Sequence, residues 1–299
     1  MIITKFLQKY GYDTIDTSFY GKIEEWKSWY RSNVRRFHSY KIYSGEKYIN
    51  CKRGAMGMAK KLSEDIADLL LNEHVAITIN DEHTSEYVKD VLKKNNWQVL
   101  GNTYQEKKAA LGTVAYVPYI TNAMANEETG ELIAGHGEVK IDYVAADNIY
   151  PLSWSNDYIE ECAFVFPKTY KTKEYAVIQI HAIENGEYVI HNHVVEATKG
   201  AGTEVEQALW KGMAPFQNLT PVIHTGSSKR QFVIDKLNVA NNFDEDNPMG
   251  IAIYANAIDQ LKGCDTAYDS YVNEFVLGKK RIYVSHDVMQ ETIGGNKQF

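Results

Sequence analysis

With 44% hydrophobic and 24% charged side chains among 299 residues, the chain has apolar material for one large core or two ordinary ones, which excludes a disordered tail. Thirty-two basic against 39 acidic residues give a net charge of −7, which excludes coating of nucleic acid by bulk electrostatics and leaves binding inside a ring or groove open. The widely spaced Cys51, Cys162 and Cys264 form neither a disulfide framework nor a metal-ligand spacing. The start lacks the basic-then-apolar pattern of a leader, and no stretch approaches the ~18 apolar residues of a membrane span, so a soluble protein made in the cytoplasm is expected.

Residues 18–40 place Phe19, Ile23, Trp26, Trp29, Tyr30, Val34 and Phe37 at spacings of three and four, predicting an amphipathic helix with one aromatic face. From Arg31 to Lys61 there are nine Lys/Arg and a single acidic residue, Glu46, a local +8 that leaves −15 for the rest. Such a stretch is read as a phosphate-facing patch or as a solvated face that pairs with acidic neighbours. Met58, Leu62, Ile66, Leu69 and Leu70 predict a helix over 57–73. The alternation Val75-Ala76-Ile77-Thr78-Ile79 predicts a half-buried strand, and Asp81 to Thr84 offer caps for a short helix through Tyr87, Val91 and Leu92.

Between Leu111 and about Val195 the pattern shortens to strand-like runs at 114–117, 138–143, 175–180 and 188–190. Turn signals at Glu128-Thr129-Gly130 and Asn185-Gly186 separate them, so an antiparallel meander is expected. After a loop-rich stretch that includes Asp244-Glu245-Asp246, Pro248 and Gly250 open a new pattern. Ile251, Tyr254, Ile258, Leu261, Tyr268, Val272 and Phe275 then predict a helix of roughly 25 residues, about 37 Å long. It ends at Gly278, and Arg281 to Val284 read as a strand leading away.

Catalytic motifs are sparse. His191-Asn192-His193 puts two imidazoles on one face of a strand, with His181 ten residues earlier, so a metal-dependent hydrolase or virion-associated enzyme built on His181, His191 and His193 is the alternative reading. No Cys or carboxylate completes a zinc pattern there. Phosphate loop, dinucleotide fingerprint and nucleophile elbow are all missing, and Gly54-Ala55-Met56-Gly57 lacks the Lys-Ser/Thr of a nucleotide cradle. No enzyme activity, metal or cofactor is expected. The excess that needs explaining is aromatic: 21 tyrosines beside 5 tryptophans and 10 phenylalanines, a composition suited to surfaces buried in an assembly and wet at their edges.

Five segments in order carry a resemblance. Trp26-Lys27-Ser28-Trp29-Tyr30, Phe37-His38-Ser39-Tyr40, Met58-Ala59-Lys60-Lys61 running into Leu69-Leu70-Leu71-Asn72-Glu73, Asn247 to Asp259, and Gly278-Lys279-Lys280-Arg281-Ile282 together resemble phage portal proteins of the minor-capsid, SPP1-like type. The resemblance implies a structural subunit of a ring, usually of twelve copies, at one capsid vertex of the virion, assembled in the host cytoplasm. Double-stranded DNA passes through such a ring. Its implied partners are the terminase large subunit, the head-tail connector, capsid and scaffold proteins and other copies of itself. An α+β fold follows, with a wing-like domain over 1–245, a stem-like helix over 246–278 and the start of a clip-like segment over 279–299, the chain corresponding to the N-terminal two-thirds of family members. On this reading Lys262, Lys279, Lys280 and Arg281 are candidate DNA-proximal residues. Trp26, Trp29, Tyr30, Tyr254, Ile258, Leu261, Tyr268 and Phe275 are candidate subunit-interface residues.

Overall fold

In the computed structural model every pairing between strands is antiparallel, and seven α-helices flank the sheets among the described residues, so the class is α+β. Those residues are 2–43, 45–72, 75–122, 137–197 and 203–277, with strand positions 290–291 and 297–298. The chain divides into two units, one of residues 1–34 and 57–257, the other of residues 35–56 and 258–299.

The first unit is built on two sheets. Strands β5 (Ile149–Ser155), β6 (Tyr158–Tyr170), β7 (Lys173–Glu184), β8 (Glu187–Glu196) and β10 (Val222–His224) lie in the order β10-β8-β7-β6-β5, with the short β9 (Thr203–Glu204) also on β8. This is the expected meander, and the Asn185-Gly186 turn joins β7 to β8 with φ of 51° and 84°. Both central residues lie in the left-handed region that a tight two-residue hairpin needs. The other predicted turn, Glu128-Thr129-Gly130, lies outside the described residues. Strands β3 (Thr113–Thr121), β4 (Glu138–Ala145) and β11 (Val233–Lys236) form the second sheet in the order β11-β3-β4.

Alternation along the strands decides what covers each face. Tyr150 faces the side covered by the first two helices, α1 (Ile2–Lys9) and α2 (Thr17–Tyr30); Tyr20 of α2 stacks on it at 4.8 Å and donates its hydroxyl to the Ile149 carbonyl. On the opposite side Tyr175, Val177 and Val194 pack under Trp210 and Phe216, contributed by the short α6 (Gln207–Trp210) and the turns after it. Asp16 caps α2 by accepting from Ser18 N–H at 2.7 Å. The helix then buries Phe19, Tyr20, Ile23, Trp26 and Trp29, at about 2 kcal/mol apiece. It stops at Tyr30, ten residues short of the predicted end, because Ser32 and Arg36 turn the backbone left-handed, with φ of 49° and 71°.

Helix α3 (Met58–Leu70) falls where it is predicted, and Asp81 caps α4 (Glu82–Lys94) through Thr84 N–H. The stretch 75–79 between them is exposed and joins no sheet, against the predicted half-buried strand. A further helix, α5 (Trp97–Leu111), escapes the sequence reading. Its buried face is small or polar through Gly101, Gln105, Lys108, Ala109 and Ala110, with Leu111 alone adding a large apolar side chain at its end. Asp235 of β11 satisfies it, accepting from Gln105 at 2.8 Å and from Lys108 at 3.0 and 3.1 Å.

The helix predicted to open at Pro248 begins ten residues later. Residues 248–254 run instead as an irregular segment through the first unit's core, burying Met249, Ile251, Ala252 and Tyr254. Gly112, at φ +88°, and Gly250 bring two backbones together so closely that a Cβ built on Gly112 would lie 2.3 Å from the Gly250 carbonyl oxygen. Ile253 N–H donates to the Ala109 carbonyl, and the Tyr254 hydroxyl lies 2.9 Å from the carbonyls of Trp26 and Ala110. These contacts take up the backbone groups that a helix would have used internally.

In the second unit a hairpin of β1 (Ser39–Tyr43) and β2 (Tyr48–Lys52) accompanies α7 (Ile258–Leu277), 20 residues or about 30 Å long. Asp265 of α7 is buried; one carboxylate oxygen accepts from Met56 N–H at 2.8 Å, and the other lies 3.0 Å from His38 Nε2. One turn on, Asp269 accepts from Gly54 N–H at 2.8 Å. Two further short strands pair at Gln290–Glu291 and Lys297–Gln298; the strand predicted at 281–284 lies outside the described residues.

Candidate functional site

The three histidines weighed as a metal site are not brought together. In the β7–β8 register His191 stands opposite Ile180 and His193 opposite Ile178, whereas His181 stands opposite Ile190. Opposed residues share a face, so His181 points to the other side of the sheet from the pair. It is fully buried between the rings of Phe164 and Phe232, at 5.2 and 5.5 Å, and neither ring nitrogen has a hydrogen-bond partner. Burial pushes its imidazole down to about 3, so it is neutral at physiological pH. His191 lies 2.7 Å from Glu184, while His193 lies 2.9 Å from Glu204. No group of three metal-ligating side chains occurs among the described residues.

Glu204 explains the His193 environment without a ligand. Its carboxylate accepts from Lys9 Nζ at 2.8 Å and from the Tyr10 hydroxyl at 2.6 Å, and His193 Nδ1 is the third neighbour. Burial raises this carboxyl, but the three partners outweigh it and hold it down at about 2. Burial and the same carboxylate push the Tyr10 phenol up to about 12. Phe6, Tyr10 and His193 stack within 5.3 Å of one another. The histidine is therefore part of the clamp that fixes the N-terminal helix to the sheet.

The aromatic candidates for a subunit interface separate into two groups. Trp26, Trp29 and Tyr254 belong to the chain's own core, with 1–3% of their surface exposed, so nothing of them is left for a neighbour. Tyr30 is half-buried, its hydroxyl bonded to Glu106 with Lys60 on the same carboxylate. Leu261 is buried and Ile258 half-buried, whereas Tyr268 and Phe275 are exposed. With them stand Tyr271, Val272 and Val276, which the sequence reading left out of its interface candidates although they obey the same three-and-four spacing. The five make one apolar stripe along the last three turns of α7, with Tyr271 and Phe275 in ring contact at 4.8 Å. Among the basic candidates Lys262 is exposed and pairs with Asp259 at 2.9 Å. Lys279, Lys280 and Arg281 lie outside the described residues.

A family model described as phage portal protein, SPP1 Gp6-like, matches residues 11–297. The chain belongs to that portal family. No curated protein matches it. Portal proteins are structural components of the phage. No helix among the described residues is long and apolar enough to cross a membrane. Helix α7 is acidic, with Asp259, Asp265, Asp269 and Glu274 against Lys262.

Proposed function

We propose that this chain is the wall subunit of the portal ring, with α7 as its stem helix and the 1–245 portion as its wing. On this reading the 246–278 portion crosses the wall of the channel and 279–299 leads toward the clip, where the terminase large subunit and the head-tail connector dock. The observation that carries the reading is the apolar stripe Tyr268, Tyr271, Val272, Phe275 and Val276, open in the isolated chain of a portal-family protein. An exposed stripe of this kind marks an interaction surface. A ring of identical neighbours supplies a cover for it, each copy offering one patch and receiving another.

Charge supports the same reading. With Asp265 buried, Asp259, Asp269 and Glu274 against Lys262 leave α7 a surface charge of −2, which does not hold a sliding duplex by counterion release. Lys262 and the adjacent Lys279, Lys280 and Arg281 are the few basic positions left for transient phosphate contacts. Association with capsid and scaffold proteins places the ring, twelve subunits in this proposal, at the virion vertex. Negative-stain microscopy and light scattering of the purified chain at high concentration test it. Closed rings are expected, and a strictly monomeric chain overturns the proposal.

A further inference from the structure

Among the described residues two β-type surfaces lack a neighbouring strand, and they match each other. The β1–β2 hairpin pairs Tyr40 with Cys51, Lys41 with Asn50, Ile42 with Ile49 and Tyr43 with Tyr48. One face therefore carries Tyr40, Ile42, Ile49 and Cys51, and the other carries Ser39, Lys41, Asn50 and Lys52 with the Tyr43–Tyr48 pair at its tip. Ile42, Ile49, Tyr43 and Tyr48 are all exposed. Apart from a single bridge between Arg35 and Ser39 at the start of β1, neither outer edge pairs with a further strand among the described residues, and a lone two-stranded hairpin is marginal in water without a third strand.

The second surface is Val75-Ala76-Ile77-Thr78-Ile79. Its alternation predicts a strand, yet all five residues are exposed and the backbone of 76–78 makes no hydrogen bond among the described residues. Val75, Ile77 and Ile79 fall on one side of an extended segment, Ala76 and Thr78 on the other. Aligned as a third strand, the apolar three continue the Tyr40/Ile42/Ile49/Cys51 face, and Ala76 and Thr78 continue the Lys41/Asn50/Lys52 face. A slip of one residue would break both matches. A groove of about 440 Å³ beside Val75 and Ile77, lined by Leu71, Leu92 and Trp97, leaves room for the hairpin's isoleucines.

Charge pairs the same two surfaces. Residues 35–53 hold six basic side chains and Glu46, a net +5, whereas residues 64–90 hold eight acidic side chains and Lys89, a net −7. Some of the acids are already paired on their own helices, Glu64 with Lys60 and Asp65 with Lys61, and Lys89 and Lys93 also line the groove. Asp68, Glu82 and Glu86 are exposed with no ion pair among the described residues, and so are Arg35, Arg36, Lys41 and Lys52 on the hairpin side.

We infer that the 75–79 segment of one copy adds as a third strand to the β1–β2 hairpin of the next copy. Two different patches meet, so the contact is heterologous and propagates around a ring. Backbone hydrogen bonds supply its affinity, and the alternating faces and opposite charges set its register and neighbour. The inference rests on the ring proposed above but concerns a different contact from that of α7.

The test is a cross-link in the full chain, with Cys264→Ser to remove the exposed thiol on α7 and leave the half-buried Cys51. Ile77→Cys places a thiol on the face that carries the native Cys51. A short bis-maleimide is expected to give a ladder of linked copies on a denaturing gel, roughly tenfold stronger than with Thr78→Cys on the opposite face. The added substitution Cys51→Ser is expected to abolish it. As a second variant Ile77→Pro, at an exposed position without a backbone hydrogen bond, keeps the circular dichroism of the fold and weakens assembly. Rings that form without the ladder overturn this inference alone; a chain that stays monomeric overturns it together with the ring. A linked product that runs as a single chain assigns the pairing within one copy and also overturns it. So does loss of duplex DNA binding on Lys41→Glu with Lys52→Glu when no ladder forms, which would make the hairpin a DNA surface.

Discussion

Tyr254 and Phe275 are 21 positions apart, both part of one apolar periodicity in the sequence, and the structure uses them in opposite ways. Tyr254 is sealed in the first unit, its hydroxyl against two backbone carbonyls and its ring out of water. Phe275 leaves about two-thirds of its surface exposed, beside Tyr271. The first unit spends its aromatics on its own core, through Trp26, Trp29, Tyr20, Tyr150 and Tyr254; in the second unit, Tyr43, Tyr48, Tyr271 and Phe275 are left on the surface. The first unit also leaves Tyr87 and Tyr158 exposed, but its largest rings are sealed, whereas the rings at the end of α7 are open and, on the ring proposal, serve association. Substitutions in the first unit should move folding, and those along α7 should move assembly.

The largest effect on folding is expected at Gly112→Ala. The backbone there has φ +88°, and the new Cβ would meet the Gly250 carbonyl at 2.3 Å, with backbone on both sides and no side chain to give way. Left-handed strain and overpacking together should cost about 4 kcal/mol, read as a lower urea midpoint. An unchanged midpoint would mean that the 248–254 segment does not seal the first unit.

How far the sequence discloses this arrangement depends on where the physical cause lies. The α3 stripe, the Asp81 cap and the Asn185-Gly186 turn are local, and all are legible. Helix α5 is hidden because the partner that lets Gln105 and Lys108 be buried is Asp235, some 130 positions away. The periodicity across 248–258 misleads for a related reason: tertiary contacts with Gly112 and Ala109 outbid a local helix. His191 and His193 resemble ligands until Glu184 and Glu204 are seen beside them. Of the proposed assembly surface, the stripe on α7 is legible as a pattern. Which half of it stays open is not, because that depends on Asp265 and Asp269 accepting hydrogen bonds from the 35–56 segment.

A smaller and pH-dependent effect sharpens the view of the first unit as a self-contained core. His181 is buried without a hydrogen-bond partner, and its imidazole titrates near 3 instead of the usual 6.5. Below about pH 6.5 the unfolded chain binds a proton that the native chain does not, so stability falls with pH from there down to about 3. At pH 5 this amounts to about 2 kcal/mol, and His181→Phe should remove that much of the loss between pH 7.5 and pH 5. Urea titrations at the two pH values measure it. An identical pH dependence in the variant would place the acid sensitivity elsewhere, with the Glu204 clamp the next place to look.

The smallest effect on folding is expected where the effect on function is largest. Tyr271→Ser and Phe275→Ser remove side chains that are 63% and 65% exposed and that touch mainly each other. Neither opens a cavity nor orphans a buried polar group, so each should change unfolding free energy by no more than about 0.5 kcal/mol. On the ring proposal the same side chains are covered by a neighbour, where losing a buried aromatic anchor is expected to cost about 2 kcal/mol per contact. Because every subunit repeats the contact, the cost accumulates around the ring, and sedimentation at fixed concentration should shift from rings to free subunits. The reverse outcome, a lower urea midpoint with rings intact, would mean that the α7 stripe is covered within its own chain in solution. That would move the subunit contact off the helix and onto the remaining open surfaces, the β1–β2 hairpin first among them.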